Sequence, residues 1–264
     1  EHKIGKKAER LFIMKENGIN VPPLFCVNEI PDEEKLLSVL SDGKEFSVRS
    51  SAFCEDSSSL SFAGQFDSFL FVRKEDVFKK ELEYFKSDRI RRSCLEIIKL
   101  LPDYFFEIEA SSTGKYHPNY ALGKGGLVRH TKAAVRIGYE LLKDPSIGDK
   151  YKDDEKDLML MALLLHDGVK CGVPKEKYTR FDHPIMMAEM IMDSEDSMEL
   201  EMEEIEFVCD AIKTHMGPWT TDYDGVEVLE KPKTKYQNFV HMCDFLASRK
   251  FLEVPFDENN NISV

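Results

Sequence analysis

The sequence predicts an α+β chain, with a small α/β lobe followed by a larger, mostly α-helical domain. Three observations lead there. Up to about Val72, short helical and extended signals alternate. From Glu75 onward, apolar residues recur at helical spacing over segments long enough to be helices. Within that second part, residues 158–165 (LMLMALLL) form an unbroken apolar run, as expected of a helix buried on every side. The expected boundary divides the chain into residues 1–75 and 76–264.

Taken in order, residues 6–17 read as a helix that stops at Gly18, a residue suited to the left-handed position after a helix. Val21-Pro22-Pro23-Leu24-Phe25 is extended, 33–40 a second helix, and 46–50 and 68–72 are strands. Residues 76–101 carry a mixed apolar and charged stripe that could bridge the two parts, until Pro102 breaks it. Residues 111–118 and 123–126 are loops by composition. Helices are then expected at 127–142, 154–166, 183–192, 200–215 and 235–250. No internal repeat or low-complexity segment interrupts them.

The bulk properties describe an intracellular enzyme. No apolar run approaches the length that crosses a bilayer, and no signal peptide is visible, so a cytoplasmic protein without a membrane partner is expected. The six cysteines lack paired spacing and read as reduced thiols. A net charge of −13 argues against general affinity for long nucleic acid. Much of the acidity lies in 193–206, read as a solvated helix face.

The chemistry-bearing residues are His130, the pair His166-Asp167, His183, His215 and Asp244, each inside or at the end of an expected helix. Imidazole nitrogens and carboxylate oxygens bind borderline divalent metals. His166 and Asp167 close the all-apolar helix, where two polar side chains are costly to bury without partners. Metal coordination would supply the partners. The order His, His-Asp, His, His, Asp resembles the HD superfamily of metal-dependent phosphohydrolases, over roughly 101–250. The strings carrying the resemblance are GGLVRHT, HDGVK, FDHPIMMAEMI, AIKTHMG and VHMCDFLASRK, the last with Cys243 where the family commonly has alanine.

The resemblance implies that His130, His166, Asp167 and Asp244 hold a first metal. It implies a second at His183 and His215, with Asp167 bridging. Mn, Fe, Co, Ni or Zn would all suit this donor set. Asp167 and Lys170 are the expected catalytic residues, Lys170 standing where many members have the lysine of HDIGK. Lys115, His117, Arg129 and Lys170 are candidates for substrate contacts. Arg129 and Lys132 equally suit an outward, surface role, because helix neighbours of an inward ligand often face outward. His241 reads as packing or as support behind a ligand, and Trp219, the sole tryptophan, could stack on a base or simply pack.

The first quarter of the chain resembles the nucleotide-binding N-terminus of phosphoenolpyruvate synthase and pyruvate phosphate dikinase, through GKKAERL, GINVPPLF and SVRSSAFCEDSSSLSFAGQFDSFLFV. Lys7 and Arg49 match that family's triphosphate-contacting lysine and arginine. The rest of the nucleotide module has no counterpart, so a truncated ATP-grasp-like lobe serving as scaffold is expected rather than a kinase. The function implied is hydrolysis of a phosphoester in a nucleotide, a cyclic nucleotide or a short RNA end. Because the chain is acidic, a small substrate is preferred. The other classes consistent with these residues are an HD-type diiron oxygenase and a nucleotide sensor with a non-catalytic HD site.

Overall fold

The computed structural model describes residues 13, 47–49, 68–70, 74–111 and 117–263. The chain divides into two compact units, 1–73 and 74–264. In the first, Ile13 is helical, and strands β1 (Ser47–Arg49) and β2 (Ser68–Leu70) pair antiparallel with Val48 opposite Phe69. The helices expected at 33–40 and, apart from Ile13, at 6–17 lie outside the described residues, as do the extended segment 21–25 and Lys7.

The second unit is mostly helical. Its helices are α1 (Lys74–Val77), α2 (Lys79–Leu82), α3 (Asp88–Leu100), α4 (Gly126–Lys143), α5 (Pro145–Gly148), α6 (Asp153–Leu165), α7 (His183–Met192), α8 (Met202–Lys213) and α9 (Lys235–Ala247). Helix α6 is the axis of the unit, packed against α3, α4, α8 and α9. Its residues 157–165 are all buried, which is why its sequence shows no polar face. Helix α7 lies along α8. Helix starts follow local chemistry. Thr234 caps α9 by accepting from Gln237 N while the Gln237 side chain accepts from Thr234 N, and Glu155 and Glu204 likewise accept the N–H groups of Lys152 and Glu201 ahead of α6 and α8. Among the described residues no helix is long and apolar enough to cross a membrane, and the four described cysteines are free and buried.

Two expectations are corrected. The stripe 76–101 is not one helix. It breaks at 83–87, where Ser87 turns extended as the N-cap of α3 and the buried Asp157 carboxylate on α6 accepts the N–H groups of Lys86 and Ser87 at 2.9 and 2.7 Å. A distant side chain thus satisfies amides that a continuous helix would have used internally. Lys132 is not on the surface either. It is 1% exposed, 3.7 Å from the equally buried Glu81 and 3.1 Å from Asn261, with its ammonium over the Phe78 ring. The C-terminal turn 257–261 covers α4 there, so an outward position on the helix becomes an inward one.

Candidate metal centre

Five elements of the helical unit converge on one buried cluster. His130 comes from the second turn of α4, His166 and Asp167 from the end of α6, His183 from the start of α7, His215 from just beyond α8 and Asp244 from within α9. His130, His166, Asp167, His183 and His215 are 2% exposed or less. The Asp244 side chain, at 18%, is the most open of the six. Ligand-type atoms fall into three overlapping sets in which all lie within 4.8 Å of one another: His130, His166 and Asp167; His166, His215 and Asp244; Asp167, His183 and His215.

Asp167 links these sets through separate oxygens. Oδ1 is 2.9 Å from His183 Nε2 and 3.8 Å from His215 Nε2. Oδ2 is 3.5 Å from His166 Nε2 and 3.9 Å from His130 Nε2. On the other side, Asp244 Oδ1 is 2.9 Å from His130 Nε2 and 3.4 Å from His166 Nε2.

The histidines are oriented by the backbone. His166 Nδ1–H donates to Leu163 O at 2.7 Å, His215 Nδ1–H to Ile212 O at 2.8 Å, and His183 Nδ1–H to Arg180 O at 2.6 Å. A carbonyl can only accept, so each of these rings donates from Nδ1 and turns Nε2 into the cluster. Two of the carbonyls belong to the last turn of a helix, where backbone oxygens lack an intrahelical partner. This arrangement was not read from the sequence, although the position of His166 and His215 just past apolar helices was its available signal. His166 Nε2, Asp167 Oδ1 and His183 Nε2 are buried without a hydrogen-bond partner. Each such group costs about 1–3 kcal/mol if nothing satisfies it, and divalent cations held by these overlapping sets would satisfy them. The donor set therefore fits a metal.

Electrostatics point the same way. Burial alone would push the His166 imidazole down, but the Asp167 and Asp244 carboxylates beside it raise it to about 10. Burial also opposes ionisation of Asp167, yet Lys170 and His166 hold it well below the usual carboxylate range. Asp244 is held low by His130 and His166 against the same burial. Both carboxylates stay ionised and hold positive charge beside them. His215, pushed down to about 3 by burial and by His166, stays neutral.

The remaining candidates divide. The Lys170 ammonium is ion-paired with Asp167 Oδ2. His117 packs edge-on against the His130 ring at 4.9 Å, with its Nδ1 buried and unpartnered, and burial followed by His130 pushes it down to about 2. Arg129, expected among the substrate contacts, is committed elsewhere. Its guanidinium donates to the carbonyls of Tyr120, Leu122 and Lys124 and to the Asn260 side chain, pinning the loop before α4 and the C-terminal turn. Lys115 lies outside the described residues, and of Arg49 only the backbone, in β1, is described. His241 braces the centre through the backbone, its Nδ1–H donating to His215 O at 2.7 Å. A cleft of about 530 Å³ lined by Glu107, Glu109, Lys124, Lys175 and Lys177 includes none of the six cluster residues.

A helical domain with a buried His/Asp nest of this kind defines a metal-binding class. Residues 124–248 match the HD domain family, and residues 27–97 match the pyruvate phosphate dikinase AMP/ATP-binding domain. The chain thus carries an HD domain preceded by a dikinase-like segment. HD domains are typically metal-dependent phosphohydrolases that bind divalent ions. The prodigiosin synthesizing transferase PigC of Serratia marcescens is 29% identical over 119 residues, covering 31% of this chain. The chain spans 13% of the length of that relative. No solved structure matches it.

Proposed function

We propose that this chain is a phosphohydrolase or phosphodiesterase whose dinuclear site acts on the phosphoester of a small, nucleotide-like molecule. His130, His166, Asp167 and Asp244 would hold one divalent ion, and His183 and His215 a second, with Asp167 shared. The observation carrying this reading is the two-sided Asp167 carboxylate, one oxygen toward His183 and His215 and the other toward His130 and His166. Divalent ions bound there would supply Lewis acidity toward a phosphoryl oxygen and an activated water at neutral pH.

The protein's own residues do the rest. Backbone carbonyls hold three imidazoles in the tautomer that presents Nε2, as outer partners of metal ligands characteristically do. Asp167 stays ionised and anchors Lys170, whose ammonium can turn to a phosphoryl oxygen as a charge-assisted donor. His117, neutral and packed on His130, lines the approach and can accept a hydrogen bond from substrate. The N-terminal segment is read as a small α/β scaffold lobe of truncated ATP-grasp type.

The test is a metal-supplemented screen of purified protein over nucleoside monophosphates, cyclic nucleotides, dinucleotides and short RNA ends, with metal content measured in parallel. Asp167→Ala is expected to lose metal and to lose turnover by more than about a hundredfold, beyond the ten- to hundredfold typical of removing an outer partner. Lys170→Ala is expected to keep its metal while turnover falls by about ten- to hundredfold, the worth of one charged hydrogen bond. Normal hydrolysis by the Asp167 variant would rule this site out as the source of the activity.

A further inference from the structure

The sole tryptophan of the chain, Trp219, is half exposed, which a core-packing residue would not be. It leaves the end of α8 through the turn His215-Met216-Gly217-Pro218, so the segment that supplies a cluster histidine also supplies the indole. The indole lies nearly parallel to the Phe245 ring, at 17° and 5.9 Å between centroids, and 6.2 Å from the His241 ring. The Arg249 guanidinium stacks on Phe245 at 4.0 Å.

These residues share α9 and the turn after α8 with the cluster residues Asp244 and His215. Asp244 is the one cluster side chain with appreciable exposure. On α9, His241, Asp244, Phe245 and Ser248 share one stripe by i, i+3, i+4 and i+7 spacing, so the helix face that carries Asp244 continues outward into His241 and Phe245. The backbone is shaped to bring the aromatic turn against this stripe. Gly217 has φ +67°, and a Cβ there would lie 2.1 Å from His241 Cε1. An aromatic face backed by a second ring and an arginine is what flat, π-bearing ligands recognise.

We propose that Trp219, backed by Phe245 and Arg249, is a nucleobase-stacking subsite at the mouth of the metal centre. The substrate's base lies on the indole while its phosphoester passes Asp244 to reach the cluster. Stacking tolerates any base, so the subsite selects nucleotides over sugar phosphates rather than one base over another. The proposal rests on the phosphohydrolase reading for its substrate class, but its binding readout does not depend on turnover.

Because Trp219 is the sole tryptophan, emission from the full chain under tryptophan-selective excitation, which bypasses the nine tyrosines, reports on this subsite alone. AMP, CMP and 3′,5′-cyclic AMP are expected to change the emission saturably, and ribose 5-phosphate is not. In turnover assays, Trp219→Ala should lower kcat/KM for the nucleotide relative to that for ribose 5-phosphate, which has no ring to stack, by about tenfold, the order that loss of one base–aromatic stack produces. The loss should sit in KM, and Trp219→Phe should restore most of it. Identical emission changes with AMP and ribose 5-phosphate, or an unchanged substrate ratio in Trp219→Ala, would overturn the subsite. Base-dependent emission changes without hydrolysis of any phosphoester would uphold the subsite and overturn the hydrolase reading. Metal-dependent hydrolysis of p-nitrophenyl phosphate with no emission change from any nucleotide would do the reverse.

Discussion

A histidine presents one nitrogen to a cation reliably only when the other is engaged. His166, His183 and His215 each meet this condition through a single backbone carbonyl three residues earlier. For His215 the support is two layers deep, because its own carbonyl accepts from His241, and His241 is seated against Gly217. Gly217 is therefore required twice, by its left-handed backbone and by the absence of a side chain in contact with the imidazole. Gly217→Ala is expected to displace His241, lower stability by about 1–3 kcal/mol and weaken metal binding by roughly ten- to hundredfold. Thermal denaturation with a metal titration checks this. A variant with the melting temperature and metal affinity of the wild type would show that the His241 brace has no part in holding His215.

At the scale of elements, the break between α2 and α3 depends on Asp157. Burial raises its carboxyl from 3.8 to about 6, against the pull of the Ser87 and Lys86 amides. The folded state therefore binds this proton more tightly than the unfolded chain. The resulting stability is fully present below about pH 4 and is lost as pH rises through about 6. Asp157→Asn keeps an acceptor for the amides and removes the titration. The stability of wild type relative to this variant should fall between pH 4 and 6 and then level off, as read from denaturant midpoints across that range. A difference that stays flat or rises would contradict the assignment.

The same junction shows what a sequence can carry. The helix at 183–192 is legible because apolar spacing acts within one segment that opens on His183-Pro184, proline being at home in a first turn. The buried α6 is legible from its unbroken apolar run, and the His/Asp series from its residue types. The break at 83–87, the burial of Lys132 and the engagement of Arg129 by Asn260 are not, since each is imposed by a partner 70 or more residues away. Spacing along one helix says which residues share a face, but not what later covers that face.

For the whole molecule, the second place where chemistry can reside is the N-terminal unit. The dikinase AMP/ATP-binding match runs over 27–97, so it includes Arg49, excludes Lys7 and extends into α3 of the helical unit. Arginine and lysine can grip phosphate without the rest of a kinase site, so nucleotide binding and phosphoryl transfer are separable properties here. We expect the unit to act as a scaffold, without ATP-dependent phosphoryl transfer and without tight nucleotide binding. Isothermal titration of the full chain with ATP, ADP and AMP, on wild type and on Arg49→Ala, reads binding directly. The HD site must be kept out of the comparison, so the same titrations are run on Asp167→Ala. The expected result is that any nucleotide signal is lost in Asp167→Ala and retained in Arg49→Ala, since the nucleotide would then be held at the metal centre alone. Tight binding retained in Asp167→Ala and lost in Arg49→Ala would make the lobe a nucleotide-binding element instead. ATP consumption following the same pattern would show that it transfers phosphate, and would overturn the scaffold reading altogether.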